Sequence, residues 1–170
     1  MEAAHRLVTL AALMQIGARP ATDSDLTILV DLYRSLEKEM VALHPMWPLA
    51  DGLPEPVEEA WGQVLASGES HVYLGTVDDV VVGLLLIREE DLLPQAAGER
   101  LGSIRLVFVD MDAREVGVGE AMLELALGDL RRMGLRRFDA HVLPGHRLAK
   151  NFFEAGGFAA RSIIMHHVDG

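Results

Sequence analysis

The sequence predicts an α/β domain: a mixed, mostly antiparallel sheet flanked by helices on both faces. Three observations carry this. Strand-like and helix-like segments follow the order β-α-α-β-β-β-α-β-α-β, which sets one parallel junction beside hairpin-linked strands. An apolar stretch at residues 101–109 runs through a polar turn into a glycine-punctuated corner and then a helix. Half of the 170 residues are apolar, enough for one full core in a single domain.

In chain order, residues 1–13 read as an N-terminal extension and 14–170 as the domain. Residues 14–19 form a short strand closed by Pro20. Asp23 or Ser24 caps a helix over 24–43, in which Leu26, Leu29, Val30, Tyr33, Leu36, Met40 and Leu43 recur at helical spacing. His44-Pro45-Met46-Trp47-Pro48 stops it, and Trp47 is a candidate pocket wall. A second helix spans 56–67, with Val57, Trp61, Val64 and Leu65 on one side and Gly68 ending it. Strands 71–77 and 80–88 flank Asp78-Asp79 and read as a hairpin. A polar loop leads to the strand at 101–109. A helix over 118–133 stops at Gly134, a strand over 137–143 at Pro144-Gly145, and a helix over 146–155 at Gly156-Gly157. Residues 158–168 are expected to close the sheet, and the apolar run 158–165 suits pairing across a homodimer.

The corner after residue 109 carries the chemistry. A helix start leaves backbone N–H groups without partners and bears partial positive charge. Glycines let a bulky anion approach those groups, and an arginine can add a charge-assisted hydrogen bond. Arg114, Gly117 and Gly119 supply these parts, so the corner reads as a pyrophosphate cradle. The Walker pattern does not fit, since Glu120 and Ala121 follow Gly119 where Lys and Ser or Thr are needed. The dinucleotide fingerprint fails at Met122, where it requires glycine. The pattern that does fit is Arg-x-x-Gly-x-Gly.

Composition excludes several classes. With no cysteine there is no disulfide, thiolate metal site or cysteine nucleophile, and the histidines show no metal-ligand spacing. No apolar run reaches the ~20 residues that span a bilayer, so no membrane association and a cytoplasmic location are expected. The net charge is −11, with 16 acids against 3 bases in residues 20–99 and 8 against 10 in residues 100–161. Nucleic acid is not an expected partner of so acidic a chain. An anionic co-substrate on the mildly basic half and a small cationic acceptor on the acidic half suit this asymmetry.

The corner resembles the acyl-CoA-binding motif of the GCN5-related N-acetyltransferase (GNAT) superfamily. Val142, Ala149, Phe152, Glu154, Gly157 and Phe158 resemble that family's second signature, and Arg19-Pro20-Ala21 its usual opening. The resemblance covers essentially the whole chain. It implies a GNAT-like fold and acetyl-CoA, or another acyl-CoA, as co-substrate, with no metal. It implies cofactor contacts at Arg114, Glu115, Val116, Gly117, Val118, Gly119 and Glu120 around the pyrophosphate. Val107, Phe108 and Val109 would lie along the pantetheine arm, with His146, Asn151 and Phe153 on the second signature. His146 stands where the family often has Asn. Phe153 stands where it often has the Tyr that protonates the departing thiolate, so the usual general acid is absent. The strand position that carries a base in some members is Ser103; Glu90 and His44 are further candidates. The function implied is acetyl transfer to a primary amine of a small molecule or protein, by direct attack in a ternary complex. The alternative is a non-catalytic acyl-CoA-binding sensor or partner module of the same fold.

Overall fold

The computed structural model describes residues 14–170; the N-terminal extension expected at 1–13 lies outside them. Strand β1 (Ile16–Pro20) leads to helix α1 (Leu26–Leu43), a helical turn at Trp47–Ala50, and helix α2 (Val57–Ala66). Strands β2 (Ser70–Val77), β3 (Val80–Asp91) and β4 (Arg100–Val109) follow, then α3 (Val118–Arg132), β5 (Arg137–Ala140) and α4 (Arg147–Ala155). The sheet order is β1-β2-β3-β4-β5, antiparallel throughout except for the parallel β4–β5 pair.

Alternation along the strands sorts side chains onto two faces. Leu74, Leu84, Leu86, Leu106 and Phe108 pack beneath α1 and α2, with Tyr33, Trp47 and Trp61 filling that layer. Leu85, Ile87 and Ile104 pack against α3 and α4 through Met122, Leu127, Leu130 and Phe153. Coverage of both faces explains why residues 83–87 of β3 are an unbroken buried run.

The entry to α1 is fixed by charge. Arg19 at the end of β1 grips Asp25 with two hydrogen bonds of 2.8 Å, and the Thr22 N–H donates to the same carboxylate. These contacts hold the Asp25 carboxyl down at about 2.

Two expectations about the end of the chain are corrected. The strand expected at 137–143 stops at Ala140, because β4 and β5 part there; the last link is His141 N–H to Ile104 C=O, 3.0 Å. No strand forms over 158–168, so the sheet is not closed by the tail and no strand stands ready for dimer pairing. After Gly157 turns with φ +89° and the Phe158 N–H bonds to Phe153 C=O, the tail is held by Arg161 on Asp139 rather than by a backbone ladder. Ile163, Ile164 and Met165 remain largely exposed. A strand needs a covered face for its apolar residues, and no layer lies over these.

Candidate functional site

The separation of β4 from β5 creates the site. Beyond Ile104 the outer edge of β4 has no strand partner. Asp110 N–H donates to Val82 C=O on the β3 side. Strand alternation therefore turns the N–H and C=O groups of Val107 and Val109 to the open edge. Arg105 is the unmatched residue of a bulge, since Leu86 pairs with Leu106 and Ile87 with Ile104. A bulge of this kind bends its strand and here accompanies the parting from β5.

At the far end of that edge stands the N-terminus of α3. Its N-cap is Gly117, at φ +101°, a left-handed conformation that glycine adopts without penalty and that offers no capping side chain. Glu115 is also left-handed, at φ +66°. No protein acceptor is bonded to the backbone N–H groups from Glu115 to Glu120 among the described residues. Six consecutive free donors beside a helix N-terminus are an arrangement able to hold an anion. Gly119 has a different cause: a Cβ there would lie 3.0 Å from the Phe152 ring, so this glycine lets α3 and α4 pack closely.

The side chains expected at the cofactor divide. The Arg114 guanidinium is turned inward: its Nε donates to Val109 C=O at 2.8 Å, its Nη2 to Glu39 at 2.6 Å, and it lies over the Phe108 ring. It braces the end of β4 against α1. His146 caps α4 close to Glu39 and Arg114, and burial pushes its pKa below the usual value, which favours the neutral ring. Asn151 is exposed on α4. Phe153 is not in the cleft. It is buried in the core, 5.0 Å from Phe152 and 5.3 Å from Phe158 between ring centroids.

The candidates for proton transfer also divide. Ser103 is fully buried, and its Oγ lies 3.0 Å from His141 Nε2. His141 is the residue at which the strands part, and it remains exposed. Crowding of the ring and the nearby Arg105 charge lower its pKa from 6.5, with Glu90, Asp51 and Asp139 opposing. Glu90 is paired with Arg105 at 3.6 Å. His44 is exposed at the end of α1, where Nδ1 accepts the Met46 N–H at 3.1 Å, and lies against His166 rather than in the cleft. Trp47 is buried against Tyr33 and belongs to the core. His141 was hidden in the sequence because its significance depends on where β5 ends. The signal was present nonetheless, since His141 directly precedes the Val142 that opens the second signature.

The open β4 edge and the glycine-capped start of α3 lie side by side in a mixed α/β domain. The acetyltransferase (GNAT) family model matches residues 29–158, and the chain belongs to that family. A mycothiol acetyltransferase from Geodermatophilus obscurus is 31% identical over 65 residues, 38% of this chain and 21% of that protein. The match thus spans about a fifth of the length of the curated relative. Among solved structures, a tetramutant of the BH1408 protein from Bacillus halodurans superposes with TM-score 0.74 at 17% identity, covering 89% of this chain and 98% of that one. AAC(6')-Iy, solved with the bisubstrate analogue CoA-S-monomethyl-acetylneamine, gives TM-score 0.68 at 17% identity over 92% and 99% of the two chains. These structural likenesses establish the fold. Among the described residues no helix is long and apolar enough to cross a membrane.

Proposed function

We propose that the chain is an acetyl-CoA-dependent N-acetyltransferase acting on a primary amine. The observation that carries this reading is the run of six free N–H groups from Glu115 to Glu120 at the end of the open β4 edge. The cradle suits a pyrophosphate. The N–H and C=O of Val107 and the N–H of Val109 suit the amides of a pantetheine arm laid down as an added strand; the Val109 C=O is taken by Arg114. Val107 N–H, the first free donor past the bulge, is aimed to polarise the thioester carbonyl as negative charge develops on its oxygen.

The amine nitrogen attacks the carbonyl carbon, a C–N bond forms, the C–S bond breaks and CoA leaves as its thiolate. The excess proton on nitrogen passes to the exposed His141 ring, whose Nε2 is held by the buried Ser103 hydroxyl. No tyrosine stands ready to protonate the thiolate, because Phe153 is buried in the core. A thiol with pKa near ~8.5 leaves adequately without one. Glu90 is held by Arg105 and His44 faces the tail, which favours His141 over both as the proton acceptor.

The test is thiol release from acetyl-CoA with a panel of amines, read against the same panel without enzyme. Amine-dependent thiol release with matching N-acetyl product supports the reading. Phe153 favours one other reading, a module that binds acyl-CoA without turnover; acetyl-CoA binding with no thiol release from any amine would favour that module.

A further inference from the structure

The sheet face beneath α1 and α2 carries one guanidinium without a partner among the described residues. Residues 20–99 contain only three bases. Arg34 is paired with Glu37 and Glu55, and Lys38 is exposed on α1. The third, Arg88 near the end of β3, is partly buried. Among the described residues its side chain has no hydrogen-bond acceptor and no carboxylate partner.

The neighbours of Arg88 explain this isolation. It lies opposite Ser70 on β2 and Ser103 on β4, neither of which bears charge. Glu90, two residues on and on the same face, is paired with Arg105. Glu69 and Glu89 are both engaged by Arg100. Burial and Arg105 lower the Arg88 pKa, and Glu90 only partly opposes them. Arg105 takes up Glu90, and Arg100 is shared among Glu69, Glu89 and Asp91, so Arg88 is left without a carboxylate of its own. Keeping a guanidinium half-buried and unpaired is unfavourable. Here it borders a cavity of about 290 Å³ whose other walls include Leu53, Ala60, Gln63 and Val64, with Glu69 and Glu89 in the wall held by Arg100. Strand register puts Arg88 on the same face as Ser103, whose hydroxyl holds His141.

We infer that the acceptor amine also carries a carboxylate, which Arg88 binds at this cavity while the amine reaches the Ser103–His141 pair. The inference rests on the acetyltransferase reading and narrows its acceptor from amines in general to amino acids and short peptides. A planar carboxylate matches the guanidinium fork and accepts two parallel hydrogen bonds from it. Its single negative charge matches the single unpaired guanidinium.

The experiment compares matched acceptors: L-amino acids and dipeptides against their C-terminal carboxamides. Transfer is read as kcat/KM, and binding is read by calorimetry on the CoA-loaded protein. The carboxylate member of a pair should be favoured at least about tenfold, chiefly through KM. Arg88→Gln should abolish that preference and Arg88→Lys should retain part of it, with thermal unfolding checking that each variant folds. The wild-type comparison needs no variant and stands if either fails to fold. Three results overturn the inference: carboxamides bound and acetylated as well as acids, Arg88→Gln weakening both members alike, or no acid bound or acetylated. Transfer to carboxamides alone would overturn it while leaving the acetyltransferase reading intact. Failure to bind acetyl-CoA would remove that reading and this inference with it.

Discussion

The Ser103 hydroxyl lies 3.0 Å from Nε2 of His141, joining the last paired stretch of β4 to the residue where β5 leaves it. The contact orients an imidazole at the head of the open edge. It is also the one pairing of a titratable ring with a fully buried hydroxyl at that point in the sheet.

If His141 takes the proton from the attacking amine, His141→Gln should lower kcat about 100-fold with little change in acetyl-CoA affinity. The base works when neutral, so activity should rise with pH through its pKa. Crowding and Arg105 set that pKa below 6.5, so the acid limb of the kcat profile should fall below pH 6.5. Ser103→Ala should shift that limb and lower kcat less than His141→Gln. A pH–rate profile unchanged in the His141→Gln variant would exclude the assignment.

Gly117 and Gly119 should fail for different reasons. A side chain at Gly117 meets open space but a left-handed backbone at φ +101°, a strain of about 1–2 kcal/mol. Gly117→Val should therefore lower stability modestly and acetyl-CoA affinity strongly. Gly119→Ala puts its methyl against the Phe152 ring. Its effect on unfolding should be non-additive with Phe152→Leu in a double-mutant cycle, whereas Gly117→Ala with Phe152→Leu should be additive.

Arg114 should behave as a brace. Its guanidinium satisfies Val109 C=O and Glu39. Arg114→Met should lower unfolding free energy by about 1–3 kcal/mol in the absence of any ligand. Denaturant melts of the free protein measure this. An unchanged midpoint, with acetyl-CoA affinity lost, would instead return Arg114 to a direct role at phosphate.

Asp25 should make the fold acid-sensitive in a defined window. Its folded pKa is lowered from 3.8 to about 2, chiefly by Arg19 and with help from Thr22. The stabilisation is full above the unfolded value and is lost as pH falls from about 4 to 2. Arg19 is 44% exposed, so solvent screening reduces the effect to about 1–2 kcal/mol. Asp25→Asn should flatten the pH dependence of stability across that window relative to wild type.

Much of this was legible in the sequence because it depends on local rules. The helix over Leu26–Leu43 follows from apolar spacing, and the turn into the helix that starts at Val118 from Gly117 and the strand before it. What was not legible depends on where strands end and which charges meet. The strand expected through Leu143 stops at Ala140, which is what brings His141 to the cleft. Residues 158–168 have strand-like composition but no layer to bury them. Arg114 fits a phosphate motif by spacing, yet Glu39, 75 residues earlier, holds its side chain. Arg88 is the same case in reverse. Composition shows only that it lies in an acidic half, whereas strand register places Ser70 and Ser103 opposite it.

The most direct measurement is thermal unfolding of wild type and Gly117→Val with acetyl-CoA, CoA or ATP. A ligand at about 100 times its dissociation constant stabilises by about 2.7 kcal/mol, or about 5–10 °C for a domain of this size. That shift is expected for wild type with acetyl-CoA and CoA, none with ATP, and none for Gly117→Val with any of the three. No shift of wild type with either CoA form, or an equal shift with ATP, would contradict it.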